Sequence, residues 1–178
     1  MGATIQNVLA SFIIGHFFSA FAYEHVWWPY LTADASILKS KVTAADRSYA
    51  VNFYKGQINN PRFNQYALWA AFGLLVLSLG GAAVRDSRRR LYHATGFVLS
   101  ALSGLVFQFK VLALKSSLFK LKHQREAETL RDIALWSAVS ALAIFATLLA
   151  TLSAAEAEEA EEIVIVEKRK PADKSNKA

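Results

Sequence analysis

The sequence has no cysteine, only three prolines, and few charged residues for its length of 178. Without thiols the chain can form no disulfide framework, no thiolate metal site and no cysteine nucleophile. Charged residues make up 19% of the chain, against about a quarter in an average soluble domain. The hydrophobic fraction is 54%. This combination excludes an ordinary soluble enzyme and indicates a protein that lies largely in a membrane.

Charge is missing altogether from four long stretches. They are 23, 22, 19 and 23 residues long and cover residues 1–23, 63–84, 91–109 and 133–155. A helix needs about 20 apolar residues to cross a bilayer. We therefore predict an all-α, polytopic membrane protein with four transmembrane helices and a membrane domain of residues 1–155. The predicted spans are residues 5–23, 66–84, 91–114 and 133–154.

The first predicted span ends beside a cluster of aromatic residues. Tyr and Trp rings prefer the level of the lipid headgroups, and Pro29 is expected to end the helix there. The segment 20–22 is similar to a signal-peptide cleavage site, but no basic residue precedes the apolar run, so we expect the span to be retained. The expected interface anchors are Tyr23, Trp27, Trp28 and Tyr30.

Only one connection, residues 24–62, is long enough to hold structure of its own. Within it, Ala45, Tyr49 and Phe53 recur every four residues and predict the apolar face of a short helix over residues 44–56. Four spans place both termini on the same side of the membrane. Four arginines crowd the short turn before the third span, and dense positive charge in a short loop favours the cytoplasm. We therefore expect cytoplasmic termini.

Residues 156–178 form a charged tail. Five glutamates between positions 156 and 162 precede the basic run Lys168-Arg169-Lys170. We predict that the tail begins as a helical extension of the fourth span and ends disordered. The net charge of +6 comes from basic residues at the ends of the spans, where Lys and Arg meet lipid headgroups. We therefore expect the lipid bilayer as a partner and no nucleic acid.

The predicted spans carry few residues that could perform chemistry. No HExxH metal motif, acid-rich helix or Gly-rich phosphate loop occurs in the sequence. His16 and His93 fall at different depths, which opposes a bis-histidine haem. A small membrane enzyme or carrier would have to rely on His16 and Gln108, whereas transporters usually carry ionisable groups within the bilayer. We predict no catalytic, cofactor-binding or metal site, and no enzyme.

Small residues recur at helical spacing in two of the predicted spans. They occupy every fourth position, as Ser11, Gly15 and Ser19 in the first span and as Gly96, Ser100 and Gly104 in the third. Small side chains let helix backbones approach closely, and in lipid this packing decides which helices associate. Each stripe could hold the four helices together or face the helices of a partner, and the sequence leaves both interpretations open.

The order of these features resembles the fungal Shr3-type packaging chaperones of the endoplasmic reticulum. The resemblance covers most of residues 5–155 and lies in architecture and scattered residues rather than in a catalytic signature. The marks that carry it are Gly15 followed by Phe17 and Phe18, then Tyr23-Glu24, Phe53-Tyr54, Asn60-Pro61 and Gly80-Gly81. The tail departs from the family because it is short and opens acidic, where the family's tail is lysine-rich. The arginine turn is also unusually basic.

The resemblance implies a non-enzymatic, multi-pass chaperone of the endoplasmic reticulum membrane. Such a protein assists the folding and exit of polytopic transporters such as amino acid permeases. It also implies a lumenal 24–62 loop and a cytoplasmic tail that contacts vesicle-coat components. The composition fits an accessory subunit of a stable membrane enzyme or translocation complex equally well.

Overall fold

The computed structural model describes residues 2–59, 63–118 and 123–169. All the regular elements in these ranges are helical. A 3₁₀ turn, His25–Tyr30, continues α1, and a π-helical segment, Phe107–Leu112, joins α5 to α6. The α-helices are α1 (Gly2–Glu24), α2 (Ala35–Lys41), α3 (Ala44–Asn59), α4 (Phe63–Arg85), α5 (Arg90–Val106), α6 (Ala113–Ser117) and α7 (His123–Arg169).

Within the described ranges, four helical segments are long and apolar enough to cross a membrane. We number them as the first to fourth membrane helices: Ile5–Tyr30, Gln65–Arg85, Arg90–Ser117 and Arg125–Glu161. This confirms the prediction of an all-α, multi-pass membrane protein. The third and fourth helices extend beyond their predicted bounds, so much of the expected connection between them is helical. Lys, Arg and Glu are good helix formers, which is why charge alone does not end these helices.

The four membrane helices form a ring. α1 contacts α4 and α7, and α5 contacts the same two helices. The core between them is aliphatic and aromatic, and its largest members include Ile13, Leu68, Phe72, Leu75, Leu79, Phe107, Val111, Leu130, Ile133 and Ile144. Small polar residues add direct links, since the Ser103 hydroxyl donates to the carbonyl of Ser140 at 2.9 Å. Close backbone approach of this kind is typical of helix pairs in lipid.

The two ends of the bundle differ in structure. At the arginine-turn end, which holds the start of α1 and the turn 85–90, the guanidinium groups of Arg88 and Arg89 pair with Glu161 and Glu158 at 3.2 and 3.0 Å. α7 continues as one helix through the acidic part of the tail. The predicted disorder at the end of the tail falls on residues 170–178, outside the described ranges. At the opposite loop end, α2 and α3 lie against α7.

The helix expected in the long loop forms, but the prediction of its buried face is wrong. Tyr49 is 63% exposed, and α3 buries Ala50, Val51 and Tyr54 instead. The rings of Tyr49 and Phe53 stack on Tyr23 at centroid distances of 5.1 and 3.5 Å. This aromatic stack lies at the edge of the bundle, so the remaining side of α3 faces α7.

The first helical segment ends next to Pro29, as expected, but it does not reach that residue as an α-helix. The α-helix ends five residues earlier, at Glu24, and Pro29 lies inside the 3₁₀ turn that follows. Proline fits such a turn because its ring fixes φ at about −65°, a value that a 3₁₀ helix adopts. The tighter turn also places Trp27 inside the core, at 1% exposure.

Candidate functional site

The small residues of the first membrane helix lie on its outer surface. Ser11, Gly15 and Ser19 are all exposed. A Cβ added at Gly15 would have no atom within 4 Å. The Ser19 hydroxyl donates to the carbonyl of His16 at 2.7 Å, so its hydrogen bond is made within its own helix. This exposed small face of α1 therefore takes no part in packing the four helices together.

The matching residues of the third membrane helix lie inside the bundle. A Cβ at Gly96 would come within 3.3 Å of Leu79, and one at Gly104 within 3.4 Å of Phe72. Ser100 is fully buried. This stripe therefore lets α4 and α7 approach α5. Two patterns that are indistinguishable in sequence have different positions in the fold.

A buried charged cluster lies at the loop end of the bundle. Glu24 ends α1, and its side chain is 3% exposed. Its Oε1 atom accepts hydrogen bonds from the hydroxyls of Tyr54 at 2.7 Å and Ser137 at 3.0 Å. The ammonium of Lys115 donates to Gln57 at 3.0 Å. We call Glu24, Tyr54, Gln57, Lys115 and Ser137 the charged cluster.

Tyr54 stands between the two charges of this cluster. Its hydroxyl binds Glu24, and its ring lies under the Lys115 ammonium, whose Nζ is 4.7 Å from the ring centre. Burial, and then the negative charge of Glu24, raise the pKa of Tyr54 above its usual value. Tyr54 therefore remains a hydrogen-bond donor at any physiological pH. Tyr54 thus gives each of the two buried groups a favourable contact, which limits the cost of removing them from water.

The π-helical segment turns Lys115 toward the other helices. With 3.6 residues per turn, Phe107 and Lys115 would lie about 80° apart around a regular α-helix. The segment Phe107–Leu112 has i→i+5 hydrogen bonds and therefore wider turns. As a result Phe107, Val111 and Lys115 are all buried, the last at 4% exposure.

An apolar groove between α1 and α7 reaches the charged cluster from the side. Its volume is about 460 Å³, and it is open along one face of the bundle. Glu24 and Ser137 supply its polar groups, and five aromatic and five aliphatic side chains form the rest of its walls. The aromatic side chains that line it are Phe17, Phe18, Phe21, Trp28 and Phe145. A ligand in this groove would meet hydrocarbon over most of its length and a carboxylate at one point.

The arginine turn has its own electrostatic arrangement. The carboxylate of Asp86 accepts hydrogen bonds from the backbone amides of Arg88 and Arg89, both at 3.1 Å, and from the Arg89 Nε at 2.6 Å. The Arg89 amide first, together with its guanidinium, lowers the pKa of Asp86 below its usual value. This charge-assisted network fixes the conformation of the turn, and the pairs of Arg88 with Glu161 and of Arg89 with Glu158 join the turn to α7.

The structure does not bring His16 and Gln108 together as a site. His16 is partly buried and makes edge-on ring contacts with Phe17 and Phe107 at 6.2 and 6.3 Å. Gln108 is exposed. Among the described residues, no group of three or more His, Cys, Asp or Glu side chains could hold a metal ion. The two positions therefore offer no shared catalytic geometry.

The expected interface anchors lie at the loop end, in different environments. Trp28 is exposed, and Tyr23 and Tyr30 are partly buried. Trp27 is enclosed by the protein and cannot reach the headgroups. Of the two tryptophans, Trp28 is the one whose side chain is accessible from outside the bundle.

The charged cluster was missed in sequence because each charge lies one residue beyond a predicted span. Glu24 follows the first predicted span, 5–23, and Lys115 follows the third, 91–114. Both were therefore assigned to connections. One feature of the sequence does point to the charged cluster: Glu24 directly follows Tyr23 at the end of the first predicted span. An ionisable group at the boundary of a span is a candidate for burial.

The comparisons with known proteins add no relative. No protein-family model matches the chain, and no curated protein or solved structure is significantly similar to it.

Proposed function

We propose that this protein is a non-enzymatic chaperone of the endoplasmic reticulum membrane. It assists the folding and exit of polytopic transporters such as amino acid permeases. The observation that carries the proposal is the exposed small face of α1, formed by Ser11, Gly15 and Ser19. The comparable stripe on α5 is consumed by internal packing, whereas this one remains available to another helix.

The mechanism is temporary packing against unassembled helices. A transporter that has not finished folding exposes polar groups and small-residue faces to lipid, where each unmet polar group costs several kcal/mol. The exposed small face of α1 lets a client helix approach closely. It offers no ionisable side chain, and the Ser19 hydroxyl is already bonded to His16. Contact is therefore dominated by close packing, which suits a partner that must be released.

The tail supplies a separate surface in this proposal. α7 continues beyond the bundle to Arg169, and Ile163 and Val164 are exposed on that extension. We propose that this helical extension lies in the cytoplasm and contacts vesicle-coat components as clients leave the endoplasmic reticulum.

An accessory subunit of a stable membrane complex would present the same exposed face. Co-purification separates the two functions. A chaperone is expected to co-purify in substoichiometric amounts with newly made transporters and to be absent from the cell surface. A one-to-one complex with a single partner at the plasma membrane would contradict the chaperone function.

Deletion of the gene followed by localisation of several amino acid transporters tests the proposal. We expect the transporters to be retained inside the cell. The deletion strain is then complemented with Gly15→Leu and with Gly73→Leu as a matched control, since both glycines are exposed in membrane helices and neither Cβ would meet an atom within 4 Å. Gly73→Leu should restore surface delivery and Gly15→Leu should not. Normal delivery in the deletion strain would refute the packaging function.

A further inference from the structure

The groove between α1 and α7 combines an aromatic wall with one acceptor. Along the described lining, Glu24 and Ser137 are the polar residues, and no Lys or Arg faces the groove. Phe18 and Phe145 are exposed on its rim. Flat aromatic rings offer broad apolar faces, and a rigid hydrocarbon body can cover them with little loss of its own conformational freedom. A ligand for this groove is therefore mostly hydrocarbon and carries a single polar group.

The charges around the groove determine which kind of polar group a bound ligand can carry. Among the described residues, both hydrogen bonds to Glu24 reach Oε1, so Oε2 has lone pairs to accept a further donor. A phosphate beside this carboxylate would be repelled, since no cation lines the groove. An ammonium head is disfavoured as well, because one cation, Lys115, already lies against Tyr54, the residue that donates to Glu24. A neutral hydroxyl donor fits both conditions.

The position of the acceptor matches an amphiphile that lies in one leaflet. Glu24 lies one turn from the exposed ring of Trp28, at the loop end of the first membrane helix. From Glu24 the groove continues to Ile14, ten residues earlier in the helix and about 15 Å deeper at 1.5 Å per residue. A polar head at Glu24 would therefore lie just below the headgroups, with its body directed toward the bilayer centre.

We propose that this groove binds a sterol, whose hydroxyl donates to Glu24 Oε2 and whose rings pack against Phe17, Phe21 and Phe145. A sterol has one neutral hydroxyl, no phosphate and a rigid hydrocarbon body, which are the properties that the groove selects. The proposal does not depend on the chaperone function, because lipid binding can be measured on the purified protein.

The test uses the full-length protein in lipid nanodiscs with a photoreactive, clickable sterol that keeps its 3-hydroxyl. After irradiation, mass spectrometry locates the labelled peptides. We expect saturable labelling concentrated on residues 14–28 and 137–145. An unlabelled 3-keto sterol, which has no hydroxyl to donate, should compete about fivefold more weakly than the 3-hydroxy sterol, because a charge-assisted hydrogen bond is lost.

Two variants test the site itself. Ala141→Phe fills the groove and should reduce labelling about tenfold, which corresponds to about 1.4 kcal/mol. Ala101→Phe, at a partly buried alanine of α5 outside the groove, is the matched control and should label normally. Glu24→Gln keeps an acceptor for Tyr54 and Ser137 but loses the charge, and should reduce labelling about fivefold. Folding of each variant is checked by size-exclusion chromatography.

Several results would overturn the proposal. Labelling spread evenly over all four membrane helices would show that no sterol site exists. Equal labelling of the groove by a photoreactive phospholipid would show an acyl chain as the occupant. Equal competition by the keto sterol, or normal labelling of both Glu24→Gln and Ala141→Phe, would exclude the hydroxyl–carboxylate contact and this groove.

Discussion

Replacing Lys115 by methionine tests whether the charged cluster stabilises the loop end of the bundle. Methionine keeps an unbranched chain that can fill the same space but removes the ammonium. Glu24 would then remain buried, at 3% exposure, without the positive charge that interacts with it. Removing one partner of a buried ion pair costs about 3–5 kcal/mol. Because Tyr54 stands between the charges and still donates to Glu24, we expect the lower end of the range, about 3 kcal/mol.

The measurement is the free energy of unfolding of the purified protein in detergent micelles, by reversible denaturation followed with tryptophan fluorescence. Lys110→Met is the matched control, because Lys110 lies in the same membrane helix but is exposed. Its Nζ lies 5.5 Å from the ring centre of Trp136, a contact worth about 0.5–1 kcal/mol at an exposed site.

A double-mutant cycle with Glu24→Gln isolates the interaction between the two charges. If the charges stabilise each other, Glu24→Gln in combination with Lys115→Met should cost less than the sum of the single changes, by about 1 kcal/mol or more. Strict additivity, or a Lys115→Met variant no less stable than Lys110→Met, would refute the reasoning.

Three further predictions concern packing and pH. Gly96→Leu should lower the free energy of unfolding by about 2 kcal/mol because of overpacking, while Gly15→Leu should change it by less than about 0.5 kcal/mol in the same denaturation assay. Folding raises the pKa of Tyr54, by burial and then by the negative charge beside it. The contribution of Tyr54 to the free energy of unfolding is therefore present below about pH 10 and lost as the pH rises above that value. Between pH 8 and pH 11, the free energy of unfolding should fall less for Tyr54→Phe than for the wild type. Because the pKa of Asp86 is lowered, first by the Arg89 amide, its contribution is present above about pH 4 and lost as the pH falls further. Hydrogen exchange, compared with peptide reference rates at each pH, measures how well the turn amides are protected. These amides should lose their protection in acid, and in Asp86→Asn they should be unprotected already at neutral pH.

The membrane helices could be predicted from the sequence because a bilayer imposes one length. A charge-free stretch such as 133–155 has few alternatives to a spanning helix. The ends of these helices could not be located in the same way. α7 begins at His123, and its first turns carry charged residues that a hydropathy pattern assigns to a connection.

The charged cluster depends on contacts that no local pattern contains. Glu24 and Tyr54 are 30 residues apart, and Glu24 and Ser137 are 113 apart. Their meeting requires α3 to fold back onto the bundle, so that Tyr54 reaches the end of α1. Tertiary packing likewise decides the burial of α3, where Tyr54 rather than Tyr49 faces the core.

The two stripes of small residues show the same limit in another way. The spacing at Gly15 and at Gly96 is identical in sequence, yet only Gly96 has neighbours within 4 Å of a Cβ. Small-residue spacing indicates that a helix can be approached closely. Which partner makes that approach is determined by the arrangement of the whole bundle.

Site-specific photo-crosslinking during a pulse-chase tests the chaperone function most directly. A photoreactive amino acid is placed at Gly15, on the exposed small face of α1, or at Gly73 as the control, and newly made transporters are labelled. For a chaperone we expect crosslinks from Gly15 to transporters early in the chase, their loss as the transporters leave the endoplasmic reticulum, and few crosslinks from Gly73. Crosslinks to one partner that persist unchanged, or equal crosslinking from both positions, would contradict the chaperone function.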